Sequence, residues 1–430
     1  MVFVKHSNGI VALFKSGSSV LTVLGAFCAF LAVGCGRSTD TAENLYRIPW
    51  PGEDGKYSLQ AVPVTGFDQP DTLQGRYVQI FVNPYARNGQ IASHTPIGRF
   101  VRSKEGVLVP ADYTSLQAAV VHAHFERFHR MNQELGVELN WPVKVGIRSQ
   151  VKDRWGVIRN NAIFDGRLDT LLLVPFVSKK GLPIALNAGI LAHEHFHMIF
   201  QHSVLKRVRF KRKERLEVGG KFSEWSSGHE ELSSEAKTMA AEEDPSLYAS
   251  LFNEFNMRAL NEGLADFWGW VYTGDPDFIR HSLPSESPYR RLDVKVKSLL
   301  GREWIKGMVF NQVTEKPYSE QILGENIYQL GSTYARVLHE LATATSEDEG
   351  RSFESRLKFA RTVVKSLPSF ARATMKAEAS GDYVSPNTFL RAIYENWPVR
   401  DDSVCKLFKR IAAADEDSFS DELQCSSAEE

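Results

Sequence analysis

The chain has little cysteine, no charge excess of either sign and no apolar run long enough to span a bilayer as a finished helix. Four cysteines in 430 residues cannot form a dense disulfide framework, and a chain of this length buries a core large enough to fold without one. Lysine and arginine total 51 against 52 acidic residues, so the global basic excess typical of nucleic-acid binding is missing. No internal repeat or low-complexity tract is present, and the remaining composition is that of an ordinary globular protein.

The longest apolar run lies near the N-terminus, from Val20 to Val33, and leads directly into Gly34-Cys35. Its 14 residues follow two lysines, a pattern typical of a secretory signal peptide. A small residue just before a cysteine at the end of such a run resembles the lipobox of bacterial lipoproteins. The resemblance implies export across the inner membrane, cleavage before Cys35 and anchoring in the bacterial cell envelope through lipid on that cysteine. An uncleaved signal anchor with an incidental cysteine is the alternative.

Apolar periodicity predicts a β-rich beginning and a helical end. Strand patterns occur at 76–85, 106–110, 142–148 and 160–176. Helical patterns run from about 112 to 135, from Asn187 onward, from Pro245 to Tyr272, and through most of the chain after 285. The segment 203–244 is polar and rich in charge, so we interpret it as an insertion, and its basic stretch 206–215 as a solvated arm.

The pentapeptide His193-Glu194-His195-Phe196-His197 is an H-E-x-x-H motif within an apolar helical segment. His193 and His197 are one turn apart on the same helix face and can present two imidazoles to one metal ion. Glu194 lies beside them, within reach of a water at the metal, whereas His195 points about 200° away and is not expected to be a ligand. Two imidazoles with one carboxylate form a common catalytic zinc set, so we expect one Zn²⁺ per chain.

A third ligand is predicted in the next strong helix, at Asn261-Glu262-Gly263-Leu264-Ala265-Asp266. Glu262 lies among apolar residues, where a carboxylate is costly unless it is paired or bound to a metal. Asp266 follows one turn later and can accept the free N–H of a ligating histidine.

Two other sources of a third ligand are weaker. A metzincin-like site would need glycine at 200 and histidine at 203, where the sequence has Phe200 and Ser203. The stretch Gly228-His229-Glu230-Glu231 holds potential ligands, but it lies in the polar insertion, where a solvated surface is the better interpretation.

Together the two motifs resemble the gluzincins, the zinc peptidases that include thermolysin and the membrane alanyl aminopeptidases. The resemblance implies that His193, His197 and Glu262 are ligands, that Glu194 is the general base, and that Asp266 supports a ligand histidine. It also implies an α+β fold with a zincin-like catalytic domain, in which a mixed sheet lies over the active-site helix. The 65-residue separation of His197 and Glu262 is longer than these families usually show, and the insertion accounts for it.

Two shorter motifs extend the resemblance. Tyr328-Gln329-Leu330-Gly331 resembles a Y-x-x-G helix start whose tyrosine donates a hydrogen bond to the oxyanion; an ordinary amphipathic aromatic is the alternative, and Tyr334 is the reserve candidate. Asn161-Ala162 resembles an N-A-x-x edge strand that pairs with substrate backbone, the alternative being a turn before a strand. The G-x-M-E-N stretch of the aminopeptidases is missing between 150 and 190, so aminopeptidase specificity is not implied.

The sequence therefore predicts an exported lipoprotein that acts as a zinc metallopeptidase on a peptide or protein substrate, contacts the membrane through Cys35 and binds no nucleic acid. A non-catalytic scaffold of the same fold and a zinc hydrolase acting on other substrates are the alternatives, although an intact Glu194 argues against a scaffold. Cys405 and Cys425 either pair or remain free thiols. The expected organisation is a signal peptide (1–34), a tether (35–45), a β-rich lead (46–110), a catalytic domain (111–280) with its insertion near 203–244, and a helical C-terminal domain (281–430).

Overall fold

The computed structural model describes residues 44–52, 55–87, 90–153, 156–178, 181–208, 210, 245–314, 320–413, 419–423 and 425. The predicted signal peptide, the lipidation site Cys35, nearly all of the tether and residues 211–244 of the insertion lie outside the described residues, as does the stretch Gly228–Glu231. Contacts divide the chain into Met1–Ala42 and Glu43–Glu430. The description below concerns the second unit.

The described strands form two mixed sheets and one short hairpin. The first sheet has the order β2-β1-β6-β5 and contains β1 (Leu45–Pro51), β2 (Tyr57–Pro63), β5 (Phe100–Arg102) and β6 (Leu108–Pro110). The second has the order β10-β11-β7-β3-β4 and contains β3 (Val78–Arg87), β4 (Gln90–His94), β7 (Val143–Ile147), β10 (Ala162–Asp165) and β11 (Thr170–Leu173). The hairpin consists of β8 (Lys152–Asp153) and β9 (Gly156–Val157).

The second sheet has parallel strands at its centre and antiparallel strands at its edges. Strand β7 pairs in parallel with both β3 and β11, so that Val145 lies between Ile80 and Leu171. Strand β10 is an edge strand, antiparallel to β11, with Ala162 opposite Leu173. Since β3 and β4 belong to this sheet, the β-rich lead 46–110 shares a sheet with the predicted catalytic domain.

The strand pattern at 160–176 proves to be a hairpin of two strands, β10 and β11, and not one strand. The side chain of Asp165 causes the reversal, because its Oδ1 accepts hydrogen bonds from the backbone N–H groups of Arg167 and Leu168. Asp169 completes the turn with a positive φ of 48°.

Two helices pack on strands of the second sheet, and helices form nearly all of the described C-terminal half, which confirms the α+β prediction. They are α1 (Tyr113–Leu135), α2 (Ala188–Phe200), α3 (Pro245–Thr273), α4 (Ser287–Arg290), α5 (Arg302–Thr314), α6 (Glu320–Thr345), α7 (Phe353–Ser380), α8 (Asn387–Glu395), α9 (Asp402–Ile411) and α10 (Phe419–Glu422). Short 3₁₀ turns occupy Pro70–Thr72, Ile184–Leu186 and Phe278–His281, and a π-turn follows α2 at Gln201–Leu205.

The predicted helix boundaries near the site are confirmed by their caps. Asp112 begins α1 by accepting the backbone N–H of Ser115, and Gly136 ends it in the left-handed region with φ of 70°. Asn187 begins α2 by accepting the N–H groups of Gly189 and Ile190.

Glycines allow three helices to touch through their backbones. At the crossing of α2 and α3, a Cβ atom on Gly269 would lie 3.0 Å from the carbonyl oxygen of Gly189. At the crossing of α3 and α6, a Cβ on Gly331 would lie 2.7 Å from the carbonyl oxygen of Ala259, and a Cβ on Gly263 would collide with the carbonyl oxygen of Gly331. Larger residues would push these helices apart.

The C-terminal part of the structure shows whether the last two cysteines are paired or free. Cys405 on α9 and Cys425 form a disulfide, with their Cα atoms 5.5 Å apart. Among the described residues, no helix is long and apolar enough to cross a membrane.

Candidate metal centre

The H-E-x-x-H segment lies in α2, one of the most buried helices of the described chain. Leu191, Phe196 and Ile199 of this helix are completely buried, and the helix packs between α1, the edge strand β10 and α3. His193 is also buried, with 6% of its surface exposed. Because apolar residues cover most of α2, its polar side chains need partners within the protein.

The structure brings together His193, His197 and Glu262, which we call the metal-binding group. The Nε2 atoms of the two histidines are 3.0 Å apart. Glu262 Oε2 lies 3.4 Å from His193 Nε2, and its Oε1 lies 3.7 Å from His197 Nε2. One ligand atom from each residue falls within 4.8 Å of the others, so this group can hold a metal ion.

The partners of the histidines show which ring nitrogens are available. His193 Nδ1 lies 2.9 Å from Asp266 Oδ1, and His197 Nδ1 lies 3.0 Å from Asn261 Oδ1. Both oxygens are acceptors, so each Nδ1 is the donor and each Nε2 of the neutral ring carries a lone pair. In neutral rings, two lone pairs that face one another at 3.0 Å repel unless a proton or a metal ion lies between them. The geometry therefore fits a metal ion.

Asp266 is fixed in its charged form by an arginine that the sequence analysis did not identify. Arg290 donates from Nε to Asp266 Oδ2 at 3.0 Å and from a terminal nitrogen to Oδ1 at 2.6 Å. Burial alone would raise the pKa of Asp266, but Arg290 and His193 lower it to about 2. Asp266 therefore remains an acceptor for His193, and the other terminal nitrogen of Arg290 donates to Glu286 at 3.1 Å.

The electrostatics of the group attract positive charge. Burial by itself lowers the pKa of His193, but its hydrogen bond to Asp266 and the nearby Glu262 carboxylate outweigh burial and raise that pKa to about 9, so a proton and a metal ion compete for His193 Nε2. Burial would likewise raise the pKa of Glu262, yet His197, His193 and Arg290 hold it below its usual range. Glu262 is thus an anion, as a carboxylate ligand must be.

Glu194 is placed differently from the metal-binding group. Its side chain is buried, and its Oε2 has no hydrogen-bond partner among the described residues. Burial raises the pKa of Glu194, against the opposing charges of His197 and His193. A buried carboxylate oxygen without a protein partner is costly and is typically reserved for water or a ligand.

A cleft of about 410 Å³ opens onto these side chains. It is lined by His193, Glu194, His197 and Glu262, and also by the predicted Asn161, Ala162 and Tyr328. The edge strand β10 forms one wall, and α6 contributes Tyr328. All the predicted site residues among the described ones therefore line this cleft, except Asp266, which lies behind His193.

Tyr328 lines the cleft, but the prediction that its motif starts a helix is wrong. Helix α6 begins at Glu320, so Tyr328 lies more than two turns inside it and does not open it. Gly331 instead permits the close approach of α6 to α3. The charge of Glu262, followed by burial, raises the pKa of Tyr328, so its hydroxyl stays protonated.

Tyr334 and His195 face away from the cleft. The Tyr334 hydroxyl is buried and donates to Asn256 Oδ1 at 2.7 Å. His195 lies 3.1 Å from Asn132 through Nε2, accepts from the indole of Trp268 at 3.3 Å, and is completely buried. His195 thus lies outside the metal-binding group.

Sequence reasoning missed Asn261, Arg290 and Glu286. Asn261 is the first residue of the Asn261–Asp266 motif, and its position directly before Glu262 is the sequence feature that could have identified it. Arg290 ends the four-residue helix α4, which is too short to show periodicity.

No model of a known protein family and no curated protein matches the chain.

Proposed function

We propose that this protein is a zinc-dependent metallopeptidase of the gluzincin type. One observation carries the proposal: the Nε2 atoms of two histidines and the Glu262 carboxylate converge in a cleft that also contains the buried Glu194, whose Oε2 has no hydrogen-bond partner among the described residues. A scaffold needs neither an unpartnered buried carboxylate nor access to it from a cleft.

The donor set favours zinc over the harder divalent cations. Two imidazole nitrogens and one carboxylate suit Zn²⁺, whereas Mg²⁺ and Ca²⁺ prefer a shell of oxygen ligands. His193, His197 and Glu262 would hold the ion, with Asp266 and Asn261 fixing the two rings. A bound zinc ion would act as a Lewis acid on the substrate carbonyl and on a water molecule.

The other residues of the cleft supply proton transfer and charge stabilisation. Glu194 accepts the proton of the attacking water at its carboxylate and returns it to the departing amine nitrogen. Its raised pKa brings it closer to the value at which a carboxylate can both take and release a proton. The protonated hydroxyl of Tyr328 donates a hydrogen bond to the negative charge that develops on the carbonyl oxygen.

The edge strand β10 supports a peptide as the substrate. It pairs with β11 on one side only, and its residues Ala162, Ile163 and Phe164 line the cleft. An extended peptide can pair with the remaining backbone groups of an edge strand, which places its carbonyl groups alongside α2.

The test combines metal content with peptide cleavage. The purified mature protein should contain one zinc per chain and cleave members of a mixed peptide library. Glu194→Gln keeps the metal ligands and should retain zinc while turnover falls by about 10²–10⁴-fold. Protein that stays metal-free after zinc is added back, or a Glu194→Gln variant as active as the wild type, contradicts the proposal.

We also propose that the protein is exported and lipid-anchored in the cell envelope through Cys35. The disulfide between Cys405 and Cys425 supports an oxidising compartment. Cys35→Ser should abolish metabolic labelling with a radioactive fatty acid and release the protein from the membrane fraction. A variant that is still labelled and still sediments with membranes refutes the anchor.

A further inference from the structure

The first sheet has one face packed on the core and one exposed face. Tyr46 and Ile48 of β1 are completely buried, whereas the residues on either side of Tyr46 are exposed. Helix α1 packs on the buried face, where Trp50 of β1 stacks on His124 with ring centroids 4.3 Å apart. The exposed residues of β1 therefore belong to the opposite face of the sheet, which we call the outer face.

The register of the strands identifies the residues of the outer face. Directly paired residues carry their side chains on the same side of a sheet, so the β2 partners of the exposed β1 residues belong to it. Leu108 on β6 pairs with the buried Tyr46, which places its neighbour Val109, and the β5 partner of Val109, on the outer face. The outer face thus includes Leu45, Arg47, Pro49, Leu59, Ala61, Pro63, Val101 and Val109.

The composition of the outer face is unusual for a sheet that is packed on one side only. The exposed side of such a sheet is normally polar. Here seven of the eight residues are apolar, and Leu59 and Val101 are 70% and 61% exposed. Single exposed apolar residues are common, but a group of them across four adjacent strands indicates a binding surface.

The outer face begins close to the proposed lipid anchor along the chain. Leu45 opens β1 and is the tenth residue after Cys35. Ten residues span at most about 35 Å even when fully extended, which is close to the thickness of the hydrocarbon core of one bilayer. Lipid on Cys35 would therefore keep the first sheet near the lipid headgroups.

The charges at this end of the sheet match a membrane surface. Strand β6 runs parallel to β1, so the turn 103–106 that leads into β6 lies at the end of the sheet where β1 begins. Three exposed basic residues, Arg47, Arg102 and Lys104, outnumber Glu105 there. Apolar side chains enter the membrane interface, and basic residues beside them are attracted to anionic headgroups.

We propose that the outer face docks on the membrane leaflet that holds the lipid of Cys35, with its apolar side chains in the interface and its basic residues at anionic headgroups. This inference rests on the proposed lipid anchor and goes beyond it, because a tether alone does not bring the sheet into contact with lipid. It is independent of the proposed peptidase function.

The experiment uses the mature, lipidated protein in vesicles of phosphatidylethanolamine and phosphatidylglycerol. Leu59→Cys and Val101→Cys are each labelled with the environment-sensitive fluorophore NBD. The label reacts with the introduced thiol, because Cys405 and Cys425 are paired and Cys35 carries the lipid. Both probes should shift their emission to shorter wavelength and be quenched by lipids that carry a doxyl group on the acyl chain.

The matched control is Val399→Cys. Val399 is also an apolar residue, 68% exposed, but it lies in the C-terminal helical part, so its probe should not respond to doxyl lipids. A second comparison places the probe at Ala61→Cys on the outer face. Adding Leu59→Glu and Val101→Glu should shift the equilibrium away from the docked state by about 10-fold per side chain, whereas adding Val399→Glu should leave the quenching unchanged.

The outcomes separate this inference from the proposed anchor. Protein without lipid on Cys35 refutes the anchor and the docking surface together. Lipidated protein in which the probes at positions 59, 101 and 399 are quenched equally overturns the docking surface alone, as does quenching at Ala61→Cys that the two glutamates do not change. Unquenched probes together with efficient cross-linking of two Leu59→Cys chains would assign the outer face to a second copy and also overturn the proposal.

Discussion

The two faces of α2 contain buried histidines of opposite character. On the face towards α3, His193 and His197 have oxygen acceptors at Nδ1, and the carboxylates around His193 raise its pKa to about 9. On the face towards α1, His195 stacks on Phe128 with ring centroids 4.5 Å apart, and burial lowers its pKa to about 3. All three belong to one pentapeptide, so the motif alone does not decide the chemistry of each ring.

The same contrast extends into α1. His122 stacks on Phe67 with centroids 3.9 Å apart, and His124 stacks on Trp50 at 4.3 Å. Burial lowers the pKa of each to about 3. Aromatic neighbours thus keep a buried histidine neutral and structural, whereas carboxylate neighbours prepare it for a cation.

The largest expected effect tests whether the two faces differ in metal binding. His197→Ala removes one of two imidazole ligands and should abolish stoichiometric zinc binding, measured by elemental analysis after gel filtration. His195→Gln keeps a polar side chain beside Asn132 and should retain one zinc per chain. Loss of zinc in both variants at equal helix content would erase the distinction between the faces.

The next effect separates the two tyrosines of α6. Tyr328→Phe removes the hydroxyl that lies in the cleft, and kcat should fall by about 10²–10³-fold with little change in KM. Tyr334→Phe leaves a buried oxygen of Asn256 without its donor, so it should cost about 1–3 kcal/mol of stability while kcat is retained. Steady-state kinetics and urea unfolding measure the two effects, and the reverse pattern would move the oxyanion donor to Tyr334.

A smaller effect tests the carboxylate that supports His193. Asp266→Asn keeps the shape of the side chain but removes the anion, and zinc affinity should fall by about 10- to 100-fold in a chelator competition assay. Glu378→Gln is the control, because Glu378 is a buried carboxylate that accepts hydrogen bonds from Ser250 and Asn253 on α3. Equal losses of affinity in the two variants would mean that general loosening of α3, and not the support of His193, is being measured.

The last prediction concerns acid stability on the structural face. His122 has a pKa of about 3 when folded against 6.5 ordinarily, so below 6.5 the unfolded chain binds a proton that the folded chain does not. Its contribution to stability is therefore lost as the pH falls from 6.5 towards 3, by about 1.4 kcal/mol per pH unit within that window. His122→Gln should flatten the pH dependence of the unfolding free energy by this amount, whereas His94→Gln, at an exposed position, should leave it unchanged. An equal slope in wild type and His122→Gln would place the source of acid sensitivity elsewhere.

The sequence predicts those parts of the site that depend on helical periodicity. His193 and His197 share a face because they are four residues apart, and Glu262 and Asp266 do so for the same reason. Sheet order, in contrast, depends on contacts distant in sequence, and nothing in the local pattern shows that β3 lies beside β7. The sequence also does not predict that Arg290 binds Asp266, because Arg290 reaches Asp266 only through the packing of a four-residue helix.

The start of α6 shows a second limit of prediction from sequence, which is that weak local helix propensity does not exclude a helix. The residues before Tyr328 include Gly324 and Asn326, which weaken the helical pattern, so the motif appeared to open the helix. The helix nevertheless includes both residues. Gly331 therefore marks the contact of two helix backbones and not the start of a helix.

That contact determines which substitutions the candidate site tolerates. Because Gly263 and Gly331 bring the backbones of α3 and α6 together, the spacing between Glu262 and Tyr328 depends on main-chain atoms and hardly on the size of the surrounding side chains. In a library that randomises the apolar residues of both helices, functional clones should accept many volume-conserving combinations around the crossing. At positions 263 and 331 the same selection should return glycine, since even one added methyl group would push the two helices, and with them Glu262 and Tyr328, apart.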